Sequence, residues 1–251
     1  MRADGPQVKI AREGAVLCVT FDRPEKKYAL NGAMYLAATR ALQSADADSS
    51  IGAVLFAGNA GIFTAGNDLA DFLDADPASG ELPAFTFIKA LACCETPLIA
   101  AIEGIAIGIG ATMMLHCDLV YAAPETLFRL PFVGLGLVPE AASSLLLPRR
   151  IGMAKASEFM LLGETFDAEE AVRLGLANSI VPTSKLREFA LEKAKLLAAK
   201  PRRALVATRR LMRGDSGEVQ VRIEEEARLF AAALQSSEAQ AAFAAFLGNG
   251  R

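Results

Sequence analysis

The chain has 251 residues, of which 53% are hydrophobic and 22% charged, and its formal net charge is -3. That composition supplies enough apolar surface for one large domain, or a core with an appendage, and argues against disorder as the main state. Lys and Arg are scattered rather than massed into a stripe, so no nucleic acid is expected as a partner.

Residues 1–9 are polar and mixed in charge, without the basic start and apolar run of a secretory signal. The β-branched run Val16–Phe21, closed by Asp22-Arg23-Pro24, reads as a buried strand, as does 51–57, closed by Gly58-Asn59. Between them, Met34, Leu36, Ala37, Ala38, Ala41 and Leu42 recur with helical spacing, and Asn31 is a good N-cap. Residues 58–69 follow as a strand end, a set of small residues including Ala65 and Gly66, and then Leu-Ala-Asp-Phe, which begins a helix. Small residues let a ligand approach the backbone closely, although an ordinary turn is the commoner meaning of such a composition.

The stretch 97–115 is apolar except for Glu103 and has the length of a membrane span, about 20 residues. Gly104, Gly108 and Gly110 interrupt it, and Ile99, Ile102 and Ile105 resemble a buried strand running into a glycine loop, so no span is expected. A loop placed between strand and helix aims free N–H groups at one point, where an oxyanion is stabilised. Met113 stands where a dinucleotide fingerprint needs its third glycine, and no Gly-Lys-Ser/Thr follows.

Further along, 119–122 is strand-like and 141–147 helix-like, and the alternation indicates an α/β core. Just before that helix, Glu140 lies among apolar and small residues. Burial raises such a carboxyl toward the range of a general base; a favourable interaction with the helix dipole is the plainer alternative. Helices are expected over 154–162 and 168–174, a strand over 178–181, and then helices over 185–199, 204–212, 217–234 and 237–247. The alanine-rich terminal helices suit either packing against another subunit or covering their own core.

Cys18, Cys93, Cys94 and Cys117 lack a C-x-x-C pair and read as small buried hydrophobes in a reducing compartment. The single histidine, His116, lies between Leu115 and Cys117 and reads as a core residue, which leaves neither a Ser-His-Asp set nor a multi-histidine metal site. No metal is expected. Gly248-Asn249-Gly250-Arg251 is not a peroxisomal Ser-Lys-Leu tail, and a cytoplasmic location is expected.

Four motifs in order, Arg23-Pro24 with Tyr28-Ala29-Leu30, Phe63-Thr64-Ala65-Gly66-Asn67-Asp68-Leu69, residues 104–110 and residues 134–144, resemble the crotonase (enoyl-CoA hydratase/isomerase) superfamily over essentially the whole chain. The resemblance implies an α/β fold, a crotonase-like spiral of β-β-α turns, with a core over 1–188 and a C-terminal helical trimerisation region over 189–251. It implies two main-chain donors for a thioester carbonyl, which by position are the N–H groups of Ala65 and Ile109. Ile109 departs from the glycine usual there; a main-chain donor survives that change, while the side chain narrows the pocket.

The carboxylates distinguish the chemistries. Hydratases of this superfamily add water with two glutamates, whose places here hold Thr112 and Phe132. Activating water and delivering a proton therefore lack their groups. The segment 135–144 is instead similar to that of peroxisomal-type delta-3, delta-2 enoyl-CoA isomerases, which bears one catalytic glutamate, matched here by Glu140. The expected function is an enoyl-CoA isomerase; an atypical hydratase, an acyl-CoA hydrolase and a non-catalytic acyl-CoA-binding scaffold are the alternatives. No cofactor is implied beyond the coenzyme A of the substrate. By resemblance the substrate lies against Arg23, Lys26, Lys27, Ala29, Ala65, Gly66, Asn67, Asp68, Leu69, Gly108 and Phe132, and the assembly is a homotrimer or a dimer of trimers.

Overall fold

The computed structural model describes residues 7–73, 81–214 and 216–248. A six-stranded sheet runs, edge to edge, through β1 (Val8–Glu13), β2 (Val16–Phe21), β3 (Ala53–Ala57), β4 (Leu98–Ile102), β6 (Leu119–Ala122) and β9 (Ser179–Ile180). β1 and β2 pair antiparallel, and every later pairing in this sheet is parallel. Parallel strands are covered on both faces, which is why β3 and β4 are apolar without alternation. Val54 and Phe56 face one apolar cluster while Ala53, Leu55 and Ala57 face another, and Leu98, Ala100 and Ile102 divide from Ile99 and Ala101 in the same way.

A second sheet holds β5 (Ile105–Ile107), β7 (Leu127–Arg129) and β8 (Thr165–Asp167), with β5 parallel to β7 and β7 antiparallel to β8. The helices are α1 (Gly32–Ala47), α2 (Leu69–Leu73), α3 (Pro83–Cys93), α4 (Ile109–Thr112), α5 (Ser143–Ile151), α6 (Met153–Ser157), α7 (Ala168–Arg173), α8 (Thr183–Ala198), α9 (Arg202–Arg213), α10 (Ser216–Leu234) and α11 (Ser237–Gly248). A strand of the large sheet, a short strand of the small one and a helix recur as β4, β5, α4 and again as β6, β7, α5. An isolated bridge at Thr64, beside β5, takes the short strand's place after β3. The expected β-β-α spiral is present.

Asn31 caps α1 as expected, its side-chain oxygen accepting from the Met34 N–H at 2.9 Å. Other expectations need correction. The helix expected from Ala141 begins at Ser143, because Ala141 and Ala142 take left-handed conformations, with φ of 62° and 52°. Segment 111–116 divides into the end of α4 and a 3-10 turn at Met113–His116, and 154–162 into α6 and a π-helical turn at Glu158–Leu162. β5, β7 and β8 have three residues each, too few for periodicity to register. β1 escapes notice because five of its six residues are exposed on the sheet edge.

The boundary drawn between 188 and 189 falls inside α8, whose Leu186, Ala190 and Ala194 are buried against the strands of the core. The core therefore extends through α8, and the helical region begins after it. Cys93 is exposed, unlike Cys18, Cys94 and Cys117, so only three of the four thiols are buried. No helix among the described residues is long and apolar enough to cross a membrane; the stretch 97–115 is strand, loop and short helix.

Candidate active site

Two chain segments meet beside β5. Thr64 pairs with Ala106 in a parallel bridge, through Thr64 N–H to Ile105 O at 3.0 Å and Ile107 N–H to Thr64 O at 3.1 Å. Asn67 and Ile109 each lie three residues beyond this bridge, on segments leaving it in the same direction. Gly66 fits between them because its φ is 91° and an added Cβ would sit 2.9 Å from Ile107 O.

The Ala65 N–H, expected as a main-chain donor to the ligand, donates instead to Lys27 O at 3.1 Å. That expectation is corrected. The next bridge, Leu30 with Asn67, is made by Leu30 N–H to Gly66 O at 2.8 Å and Asp68 N–H to Leu30 O at 2.9 Å. In a parallel bridge of this kind the Asn67 N–H points away from the partner strand. The Ile109 N–H opens α4, where no residue one turn back accepts from it; the Gly108 carbonyl is taken by Ala111 and Thr112 at 2.9 Å each. The N–H groups of Asn67 and Ile109 are therefore both directed out of the backbone pairing.

Glu140 is 0% exposed. Burial pushes its carboxyl up to about 8, opposed by a hydrogen bond from Asn67 and assisted by the negative charge of Glu226. The Asn67 side-chain amide donates to Oε2 across a long 3.4 Å, and Oε1 is buried without a partner. Tyr35, buried in α1, donates to Asn67 Oδ1, which fixes the amide with its NH₂ toward Glu140. Burial and the nearby Glu140 charge hold the Tyr35 phenol well above its ordinary value, so it stays a donor. A carboxyl placed this way, with one oxygen held and one free, is equipped to take and return a proton near neutral pH.

The turn that carries Glu140 is held at every residue. Ser143 donates to Glu140 O through N–H at 3.0 Å and through Oγ at 2.5 Å. His116 Nε2 donates to Ala141 O at 2.8 Å, and burial lowers this imidazole to about 4, leaving it neutral. Glu226 accepts from Ala142 N–H and Ser144 N–H. His116 is thus a core histidine, as expected, and also a support for this turn. The dipole alternative for Glu140 loses its basis, since α5 starts three residues later.

The remaining expected residues divide into groups. Arg23 is half-buried and engaged, with Nη1 on Asp68 Oδ2 at 2.7 Å and on Ala29 O at 3.2 Å, so it ties the first motif to the second. Lys26 and Lys27 are exposed beside it, and Leu69 is buried at the start of α2. Gly108, with φ of 54°, precedes α4. Phe132 is buried, and its carbonyl accepts from Leu135 and Leu137 at 3.0 and 2.8 Å. Thr112 is buried with its hydroxyl unpartnered. Tyr35 and Glu226 carried no motif in the sequence. Glu226 did leave a signal, a carboxylate three residues after Ile223 and four before Phe230, on the apolar stripe of α10.

The model of the enoyl-CoA hydratase/isomerase family matches residues 11–251. The 2,3-dehydroadipyl-CoA hydratase of Escherichia coli (strain K12) is 33% identical over 241 residues, covering 95% of this chain and 94% of that protein. Enoyl-CoA delta isomerase 2 of Homo sapiens is 34% identical over 211 residues, covering 81% of this chain and 53% of the human protein. Among solved structures, an enoyl-CoA hydratase/isomerase from Pseudoalteromonas atlantica T6c superposes with a TM-score of 0.93 at 41% identity, covering 97% of each chain.

Proposed function

This chain belongs to the enoyl-CoA hydratase/isomerase family, and within that family of enzymes we propose that it is an isomerase, moving a double bond from position 3 to position 2 of an enoyl-CoA. Glu140 removes a proton from C2, and the electron pair released passes into a dienolate whose negative charge rests on the thioester oxygen. The N–H groups of Asn67 and Ile109 hold that oxygen. The proton now on Glu140 is delivered to C4, the double bond settles between C2 and C3, and the carboxylate is regenerated.

One observation carries this reading: Glu140 is a buried carboxyl with one free oxygen and a pKa raised to about 8, while Thr112 and Phe132 stand where a hydratase needs its glutamates. Moving a double bond requires one proton carrier; adding water requires a second group. The exposed Lys26 and Lys27 suit the coenzyme A phosphates, whereas Arg23 is engaged by Asp68. The exposed Leu211 and Met212 of α9 support assembly as a homotrimer or a dimer of trimers. The four free thiols support a cytoplasmic location.

The test is turnover of a 3-enoyl-CoA by the wild type and Glu140→Gln, with products followed by mass. Unchanged mass with a new conjugated absorbance marks isomerisation, a gain of water marks hydration, and free coenzyme A marks hydrolysis. Glu140→Gln is expected to lower turnover about 100-fold to 10,000-fold. Wild-type kcat/KM is expected to rise with pH to an inflexion near 8, where Glu140 ionises. Full activity in the variant overturns the assignment.

A further inference from the structure

The catalytic turn contains an unusual backbone. Ala141 and Ala142, directly after Glu140, have φ of 62° and 52°, a region that costs a residue with a Cβ about 1 kcal/mol or more. α5 also lacks a cap of its own, since Ala142 has no side-chain acceptor for the first N–H groups of the helix. Both defects are met by one side chain from another element. Glu226 of α10, 3% exposed, accepts from Ala142 N–H at 2.6 Å, Ser144 N–H at 3.0 Å and Ser144 Oγ at 2.6 Å.

We propose that Glu226 is a positioning residue for Glu140, acting as a cap supplied from α10 that holds the left-handed Ala141-Ala142 turn and so aims the carboxyl. Glu226 touches neither substrate nor reacting atoms in this scheme. Its negative charge also faces Glu140 and adds to burial in raising that carboxyl. The charged and titratable groups around the pair are few. Tyr35 of α1 and His116 are neutral near pH 7, Asp71 of α2 acts on Tyr35, and Arg222 of α10 reaches Ser144 Oγ at 3.2 Å; burial raises the Glu226 carboxyl, opposed by its hydrogen bonds from Ser144 and Ala142 and by the Arg222 charge. A change near neutral pH therefore belongs to the Glu140 and Glu226 pair.

This inference rests on Glu140 being the base, and its test has a readout that does not. The ionisation of Glu140 is followed in the free protein by infrared difference spectroscopy, its carboxyl band assigned by loss in Glu140→Gln. In Glu226→Gln the Glu140 titration is expected about one pH unit lower, because a neighbouring like charge is gone. In the same variant kcat is expected to fall about 10-fold, the size of one lost charge-assisted bond, with KM nearly unchanged. Glu226→Ala is expected to be worse, and adding Ala142→Gly to it should restore part of kcat, since glycine takes the left-handed conformation freely. If Glu226→Gln does not fold, Ser144→Ala, which removes one of the bonds to Glu226 but leaves its charge, is expected to lower kcat about three-fold with the Glu140 band unmoved, and wild-type kcat in that variant overturns the proposal. A Glu226→Gln protein with wild-type kcat and an unmoved Glu140 band overturns the proposal. If Glu140→Gln is inactive while Glu226→Gln matches the wild type, only this inference fails; if Glu140→Gln is active, the base assignment fails.

Discussion

Asn67 and Glu140 meet across 3.4 Å, yet the segments that carry them are held by opposite means. The Asn67 loop is sewn by main chain to residues on either side: Ala65 to Lys27, Gly66 and Asp68 to Leu30, Thr64 to β5. The Glu140 turn is held largely by side chains from remote elements, namely Glu226 of α10, His116 after α4 and Asn67 itself. A donor supplied by main chain survives a change of its own side chain, which is why Ile109 can stand where glycine is usual. A turn built from side chains can be undone by one substitution, and its electrostatics can be tuned the same way.

The largest expected effect sharpens this contrast on the side-chain half. Glu140 ionises near 8 in the folded protein and near 4.3 in an unfolded chain. Between those values the folded state keeps a proton that the unfolded state has released, so stability falls as pH rises through about 4.3 to 8 and stays reduced above. Glu140→Gln carries no such proton and is expected to gain on the wild type across that window, by up to about 5 kcal/mol. Urea unfolding of both proteins at pH 5 and pH 9 checks it; a difference independent of pH breaks the account of Glu140 as a buried carboxyl. The backbone half has a different weak point. At Gly104, φ is 66° and an added Cβ would lie 1.8 Å from Gly61 O, so Gly104→Ala should cost about 3 kcal/mol at any pH, read by the same unfolding experiment. A substitution tolerated there would show the loops to be less tightly sewn than their bonds indicate. The smallest effect probes the seam between the halves. Tyr35→Phe leaves Asn67 Oδ1 without its donor and frees the amide to turn, which should lower kcat about five-fold, the worth of one hydrogen bond. Unchanged turnover would separate Tyr35 from the site.

Residues whose role is local were legible in the sequence. Asn31 announces its helix, the apolar runs announce β2, β3, β4 and β6, and the glycines around Thr64 and at 104–110 mark where backbones approach. Glu140 was legible because an acid among small and apolar residues is uncommon and because Thr112 and Phe132 leave it the carboxylate at a matched position. Ala65 shows the limit of such matching. Motif spacing locates the loop, but which of its N–H groups remains free depends on the partner strand, and Lys27 O takes that of Ala65. Glu226 shows a further limit: three consecutive glutamates, 224 to 226, look like a solvated run until the face of α10 is known.

The chain's own order of residues determined the α/β class, the two glycine loops and the buried acid, because helical and strand periodicity, capping and glycine geometry act within a few residues of one another. Tertiary structure decided that Asn67, not Ala65, presents the free N–H, that α8 belongs to the core, and that an acid 86 positions after Glu140 supports its turn. α8 joins the core by burying Leu186, Ala190 and Ala194, and the other two outcomes share a polar reason. A buried polar group must find a partner, and the partner it finds is set by packing between elements that the sequence keeps far apart.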